Sequence, residues 1–172
     1  MMTHTLNRRA FVAAAGFATA ATCARSWGAE RLAPGFVGID GWLNSPPLTM
    51  RGLRGRPVLV NFFARSCYNC INAMPYIERW YNTYRDRGFV VVGVHTPEFA
   101  VEKSTPALEQ AIQRFGLTYP IAEDNNSDTW NAWHNRYWPA EYLVDGGGRI
   151  VREHVGEGAY AETERAIQRL LA

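Results

Sequence analysis

The junction between an apolar run and a pair of cysteines most constrains what this chain can fold into. Residues 57–63 are rich in Val, Leu and Phe, a composition that favours a buried β-strand. Cys67 and Cys70 follow, and apolar side chains then recur at helical spacing until Gly88, a residue typical of helix ends. The sequence therefore predicts a strand that leads directly into a helix over residues 67–87, with both cysteines in its first turn.

The rest of the chain continues this alternation of strands and helices. Gly and Pro interrupt residues 31–56, which predicts an irregular or short-hairpin lead-in. Further strands are predicted at 89–95, 119–122, 141–145 and 149–155, and further helices at 106–115, 128–137 and 161–171. No internal repeat or polar linker divides residues 30–172. We therefore expect one α/β domain, with a central mixed β-sheet flanked by helices on both faces.

The first 29 residues are typical of an export signal. Arg8 and Arg9 end a polar, positive stretch, and residues 10–24 form an apolar run. This run is shorter than the roughly 20 residues that a membrane-spanning helix needs. The order of residues 7–12 resembles a twin-arginine export signal, which implies export across the inner membrane of a bacterium. We expect a signal peptide at residues 1–29 and a mature domain at residues 30–172.

Removing that segment changes both the charge balance and the cysteine count. The whole chain carries 18 Lys and Arg, 16 Asp and Glu, and three cysteines. Because Arg8, Arg9, Arg25 and Cys23 lie in the predicted signal, the mature domain is slightly acidic and keeps one pair of cysteines. Balanced charge argues against a nucleic-acid-binding protein. A hydrophobic content of 47% argues against a disordered chain.

The spacing Cys67-x-x-Cys70 predicts thiol-disulfide exchange. At the start of a helix, free N–H groups and the helix dipole stabilise a thiolate and lower the pKa of the first cysteine. Cys67 is therefore expected to attack a partner disulfide, and Cys70, one turn further on, to resolve the mixed disulfide. Two alternatives stay open. One is a static structural disulfide, and the other is a metal site, although no other mature cysteine is available as a ligand.

The cysteine segment resembles the thioredoxin superfamily, which has an apolar strand, a Cys-x-x-Cys pair and a proline, here Pro75, five residues after the second cysteine. Residues 93–100, 119–126 and 135–143 are similar to runs of the exported TlpA/ResA-like branch, especially the periplasmic thioredoxin-like domain of DipZ-type proteins. The resemblance extends over about residues 58–172 and implies a thioredoxin-like fold. Because DipZ-type proteins also carry a membrane electron-transfer domain, it further implies that this chain has a separate membrane electron donor.

The same resemblance implies roles for single residues. Glu98 matches a carboxylate position that sets the thiol pKa or accepts a proton from Cys70. Asn61 stands where thioredoxin has a buried Asp, and an amide cannot take that proton. Trp138-Pro139 matches the family's cis-proline, where the backbone of the preceding residue is free to pair with an extended partner.

Aromatic residues divide into an expected contact surface and an expected core. Tyr68 and Trp138, with Pro139 beside them, are expected to contact a protein substrate. Three further aromatic residues lie at helical spacing and are expected in the core; they are Trp130, Trp133 and Tyr137.

These observations predict an exported, monomeric thiol-disulfide oxidoreductase of the periplasm that exchanges disulfides with protein partners and needs no cofactor or metal. By analogy with its branch we expect a reductant. An oxidase or isomerase stays open, because the residues between the cysteines match neither strong oxidants nor thioredoxin. The alternative functions are a copper-binding or copper-delivery module of the same fold and a thiol-dependent peroxidase. The peroxidase signature is missing before Cys67.

Overall fold

The protein is described by a computed structural model that covers Met1 and residues 31–172. Apart from Met1, the predicted signal peptide lies outside the described residues. The strands are β1 (Gly41–Leu43), β2 (Val58–Phe63), β3 (Val90–His95), β4 (Ile121–Glu123), β5 (Ala140–Val144) and β6 (Ile150–Val155). The α-helices are α1 (Tyr68–Tyr84), α2 (Thr105–Phe115), α3 (Asp128–Ala132) and α4 (Tyr160–Leu170). No helix of this described part is long and apolar enough to cross a membrane.

The strands form one mixed sheet in the order β1-β4-β3-β2-β5-β6. The neighbours β2, β3 and β4 are parallel, whereas β1, β5 and β6 pair antiparallel. The carboxyl ends of β2 and β3 therefore lie at the same edge of the sheet. Because β5 runs opposite to β2, its first residues lie at that edge too. The segments after β2, after β3 and before β5 thus meet in space.

Each face of the sheet carries its own core. Leu59 and Phe63 of β2 pack in the first core with buried residues of α1, α2 and α4. The alternating residues Val58, Val60 and Phe62 pack in the second core, against α3 and the lead-in. The expectation of an α/β mixed sheet with helices on both faces is confirmed, with three of these helices on one face.

Local sequence signals explain where the helices end. Gly88 follows the short 3-10 helix after α1 and adopts φ 89°, a left-handed conformation that favours glycine. Ser104 caps α2 by accepting a hydrogen bond from the Ala107 N–H at 3.4 Å. Gly116 then ends α2 with φ 65°.

Two predictions about secondary structure are wrong in part. The helix predicted at 128–137 ends at Ala132, because Trp133 is buried, with its indole N–H bonded to the Gly35 carbonyl, and His134 adopts a left-handed φ of 54°. Tyr137, expected in the core, is consequently 60% exposed. The lead-in also contains more structure than predicted, since its residues 41–43 form β1 and pair with β4.

Candidate active site

The two cysteines lie at the start of α1, where the sequence predicts them. Cys67 is the N-cap residue, and its N–H donates to the Ala64 carbonyl at 3.2 Å. Its carbonyl accepts from the Ile71 N–H at 3.0 Å, which closes the first turn of the helix. Both thiols are free. Cys67 is half-buried, whereas Cys70 is buried, so only the first is open to a partner.

Cys70 is held as a neutral thiol. Burial is the main cause that raises its pKa, followed by its hydrogen bond with Cys67. Negative charge at Cys67 and at Glu98 raises this pKa further, against an opposing backbone hydrogen bond at Ala64. A proton must therefore leave Cys70 before it can act as a nucleophile.

Glu98 lies within electrostatic reach of the pair but outside hydrogen-bonding contact with it. It follows β3 in the exposed turn before a short 3-10 helix, Ala100–Lys103, and its charge raises the pKa of Cys70 less than burial or Cys67 does. Its backbone N–H donates to Glu102 at 2.7 Å, which fixes the turn. The charge of Glu98 therefore acts on Cys70, and the role of Glu98 in the reaction stays a prediction.

The buried carboxylate of Glu102 joins the loop before Cys67 to the turn that carries Glu98. One oxygen accepts from the Ser66 N–H at 3.0 Å and the Ser66 hydroxyl at 2.7 Å. The other accepts from the N–H groups of Glu98 and Phe99, at 2.7 and 3.1 Å. Burial acts to raise the pKa of Glu102, but these hydrogen bonds outweigh it and hold the pKa below its usual value of 4.5.

Trp138 and Pro139 complete the site from the β5 side. Their peptide bond is cis, as the resemblance implies. The Trp138 indole N–H donates to the Thr96 carbonyl at 3.0 Å. The centroids of the Trp138 and Trp130 rings are 4.1 Å apart. Pro139 is buried, and its carbonyl accepts from the Gly156 N–H at 2.8 Å. Within the described residues, the backbone N–H and carbonyl of Trp138 have no hydrogen-bond partner.

Asp124 joins the segment after β3 to the start of α3. This buried carboxylate accepts from the Thr96 hydroxyl at 2.9 Å and from the N–H groups of Thr129 and Trp130. It therefore caps α3 and ties it to the residue that receives the Trp138 indole. Burial raises the pKa of Asp124 despite these hydrogen bonds.

A second buried carboxylate lies beside Asn61. Glu141 of β5 is the register partner of Asn61 in β2, and both are buried. Burial raises the pKa of Glu141 to about 7, against the nearby charge of Arg152 and a hydrogen bond from Thr163. The side-chain oxygen of Asn61 has no partner among the described residues. The amide of Asn61 thus occupies the position of thioredoxin's buried Asp. The nearby carboxyl group is that of Glu141, on the neighbouring strand.

The structure brings the predicted site residues to one edge of the sheet, but with different degrees of access. Tyr68 is 76% exposed and Trp138 is half-buried, so both can contribute to a contact surface, whereas Pro139 is buried. Sequence reasoning missed Glu102 and Glu141. Only Glu141 had a signal, since it interrupts an otherwise apolar strand.

The part of the chain that the structure describes contains no group of side chains arranged to bind a metal ion. There, no three side chains among His, Cys, Asp and Glu lie close enough to hold a metal ion. The imidazole of His95 is buried, its two nitrogens have no hydrogen-bond partner among the described residues, and burial lowers its pKa to about 4.

The fold and the Cys67-x-x-Cys70 pair are those of a thioredoxin-like protein. The family model described as Redoxin matches residues 29–169. The chain therefore belongs to the Redoxin family.

The chain is also similar to individual proteins. The chain is 47% identical over 142 residues to Protein DipZ of Mycobacterium tuberculosis, a match that covers 81% of this chain but only 20% of DipZ. It is 27% identical to the thiol-disulfide oxidoreductase YkuV of Bacillus subtilis, covering 81% of this chain and 93% of YkuV. A solved thioredoxin-like protein in its oxidised form superposes with a TM-score of 0.75 at 28% identity, covering 83% of this chain and 95% of the other. The chain spans about a fifth of the length of the DipZ proteins that it matches.

Proposed function

We propose that the protein reduces disulfides of protein partners in the periplasm through Cys67 and Cys70. The observation that carries this proposal is the unequal access of the two thiols: Cys67 is half-buried at the helix start, and Cys70 is 1% exposed behind it. A partner disulfide can reach only Cys67. The Cys67 thiol raises the pKa of Cys70, so the two thiols are close enough to complete the exchange.

The reaction proceeds in two exchanges. The Cys67 thiolate attacks a partner disulfide, forms a mixed disulfide and releases the other partner sulfur as a thiolate, which takes a proton. Cys70 then loses its proton and attacks Cys67, so that the partner leaves as a thiol and a Cys67–Cys70 disulfide forms. Glu98 is proposed as the group that accepts the Cys70 proton, since its charge is felt at that thiol.

A partner segment is proposed to lie across Tyr68 and Trp138. The free backbone groups of Trp138 offer one N–H and one carbonyl to an extended chain, which is the chemistry of strand addition. The exposed Tyr68 ring lies next to Cys67 in the sequence and provides apolar contact. Pro139 shapes this loop through its backbone, because its side chain is buried.

Cysteine-to-serine substitutions test the assignment. Cys70→Ser is expected to accumulate mixed disulfides with partner proteins, because the resolving thiol is gone, and Cys67→Ser is expected to accumulate none. Non-reducing gel electrophoresis of periplasmic extracts with mass spectrometry of the trapped species measures both. Full exchange activity in Cys67→Ser, or equal trapping by both variants, would show that the nucleophile is wrongly assigned.

A protein that reduces its partners needs a source of electrons. Each reduction leaves a Cys67–Cys70 disulfide, and the described residues contain no other cysteine to reduce it. We propose that a separate membrane protein donates the electrons that reduce this disulfide. We also propose that the protein itself is a monomer. A reduction potential well below that of the periplasmic oxidants supports a reductant, and a potential near theirs contradicts it.

Export by residues 1–29 is proposed from the twin arginines Arg8 and Arg9. Replacing both by Lys is expected to leave an unprocessed precursor in the cytoplasm, while the unaltered chain is cleaved and recovered in the periplasm. Mass spectrometry of the two fractions measures the difference. Equal processing of both chains would contradict a twin-arginine signal.

A further inference from the structure

A groove of about 390 Å³ lies beside the cysteine pair, between α1 and α2. It is lined by Ser66, directly before Cys67, and by Ile71 in the first turn of α1. One face of α2 forms the opposite wall, through Ala107, Gln110, Ala111 and Arg114 at helical spacing. The groove therefore includes the residue directly before Cys67 and about two turns of α2.

Two arginines give this groove its charge. Arg65 and Arg114 both line it, and neither forms an ion pair within the described residues. Arg65 is held in place because its guanidinium donates to the Val101 carbonyl at 2.9 Å. The exposed carboxylates of Glu98 and Glu109 do not line the groove. Its walls thus combine apolar carbon with two arginines, of which Arg114 lies over the Phe115 ring at 5.4 Å. The buried Glu102 carboxylate is next to the groove but is already bonded to Ser66 and to the turn at Glu98.

The groove and Pro139 lie on opposite sides of Cys67. In the sheet, β2 lies between β3 and β5. Cys67 follows β2, Pro139 precedes β5, and α2 follows β3 on the same face as α1. An extended chain that pairs with the Trp138 backbone and presents its cysteine to Cys67 consequently continues toward Ser66 and the groove.

We propose that this groove receives an acidic stretch of the protein partner, next to the partner's reactive cysteine. Carboxylates of that stretch pair with Arg65 and Arg114, while its carbon atoms lie against Ile71 and α2. Arginine offers several donors to a carboxylate, and a guanidinium that is already held in place loses less freedom on binding. This inference rests on the proposed function and adds the partner's charge to it.

Synthetic peptides test the proposal on the intact reduced protein. Each peptide carries one cysteine as a mixed disulfide with thionitrobenzoate, flanked by four Asp, four Asn or four Lys residues. Cys67 attacks the peptide sulfur and releases the coloured thionitrobenzoate anion, and Cys70 then frees the peptide as a thiol while the protein pair is oxidised. Colour release gives the second-order rate constant at low and high salt.

We expect the acidic peptide to react about fivefold or more faster than the neutral one at low salt, and the basic peptide to react more slowly. Arg114→Glu is expected to remove or reverse this order, and high salt to reduce it. Arg169→Glu is the matched control, since Arg169 also lies in the last turn of an 11-residue helix and does not line the groove.

The outcomes distinguish the groove proposal from the proposed exchange reaction. Equal rates for the three peptides at low salt would overturn the groove proposal and leave the exchange reaction intact. Equal loss of preference in Arg114→Glu and Arg169→Glu would also overturn it, because net charge rather than the groove would then select the peptide. No reaction with any peptide would instead contradict the proposed function.

Discussion

Replacing Glu141 by Gln is expected to change how stability depends on pH. Glu141 is 3% exposed, and its carboxylate accepts one hydrogen bond, from the Thr163 hydroxyl at 3.5 Å. Burial therefore disfavours the charged form and raises the pKa to about 7 from a usual value of 4.5. A glutamine keeps the size of the side chain but carries no charge at any pH.

The sign and size of the effect follow from this shift. Below pH 4.5 the carboxyl is protonated in both the folded and the unfolded chain, so pH has no effect through this group. Between pH 4.5 and about 7 only the unfolded chain loses the proton, and stability falls as the pH rises. The total loss is about 3 kcal/mol, at about 1.4 kcal/mol for each pH unit.

Chemical denaturation of the reduced protein at several pH values measures this prediction. The free energy of unfolding of Glu141→Gln, relative to the unaltered chain, is expected to increase by about 3 kcal/mol between pH 4.5 and pH 8. Glu153→Gln is the control, because that carboxylate is on the neighbouring strand, exposed, and paired with Arg31 at 3.1 Å. A relative stability of Glu141→Gln that does not change with pH would refute the reasoning.

Three further substitutions have expected outcomes. Glu102→Gln is expected to lower the free energy of unfolding by about 2–4 kcal/mol, because one amide oxygen replaces two carboxylate oxygens that accept four hydrogen bonds; since the folded pKa is lowered, this loss is largest above pH 4.5 and shrinks in acid. Gly93→Ala is expected to cost about 1–3 kcal/mol in thermal or chemical unfolding, because its new Cβ would lie 2.9 Å from the Tyr119 ring. Trp138→Ala is expected to slow exchange with protein disulfides by about tenfold, and exchange with a small aromatic disulfide far less.

Each of these substitutions has a matched control. Glu109→Gln changes an exposed glutamate of α2, so it is expected to leave stability unchanged. Gly35→Ala adds a Cβ with no atom within 4 Å. Tyr137→Ala removes an exposed ring close to Trp138 in the sequence. A control with the same effect as its test variant would contradict the contact assigned to that test residue.

Local patterns explain how much of the fold the sequence predicts. The strand at residues 58–63 and the helix that starts at residue 68 depend on hydrophobic periodicity within one segment, and both are confirmed. The helix predicted through residue 137 failed because tertiary packing of Trp133 ends α3 early. The strand at residues 41–43 was missed because its partner, β4, lies about 80 residues further along the chain.

The candidate site shows the same limit. Cys67 and Cys70 are recognised by their spacing, whereas the hydrogen bonds of Glu102 to Ser66 join residues 36 positions apart. Nothing in the sequence around Glu102 distinguishes it from a surface carboxylate. Glu141 is partly visible in the sequence, as a charged residue in an apolar strand, but its burial beside Asn61 depends on the register of β2 and β5.

The two borders of the sheet affect how this protein behaves at high concentration. At one border β1 has only three residues, and at the other the backbone of residues 31–33 covers the start of β6 through hydrogen bonds to Gly148 and Ile150. A short β1 at one border and a partly covered β6 at the other limit how far a second molecule could extend the sheet. Under the proposed function, backbone pairing with a partner occurs at Trp138, beside the thiols, rather than at a border of the sheet.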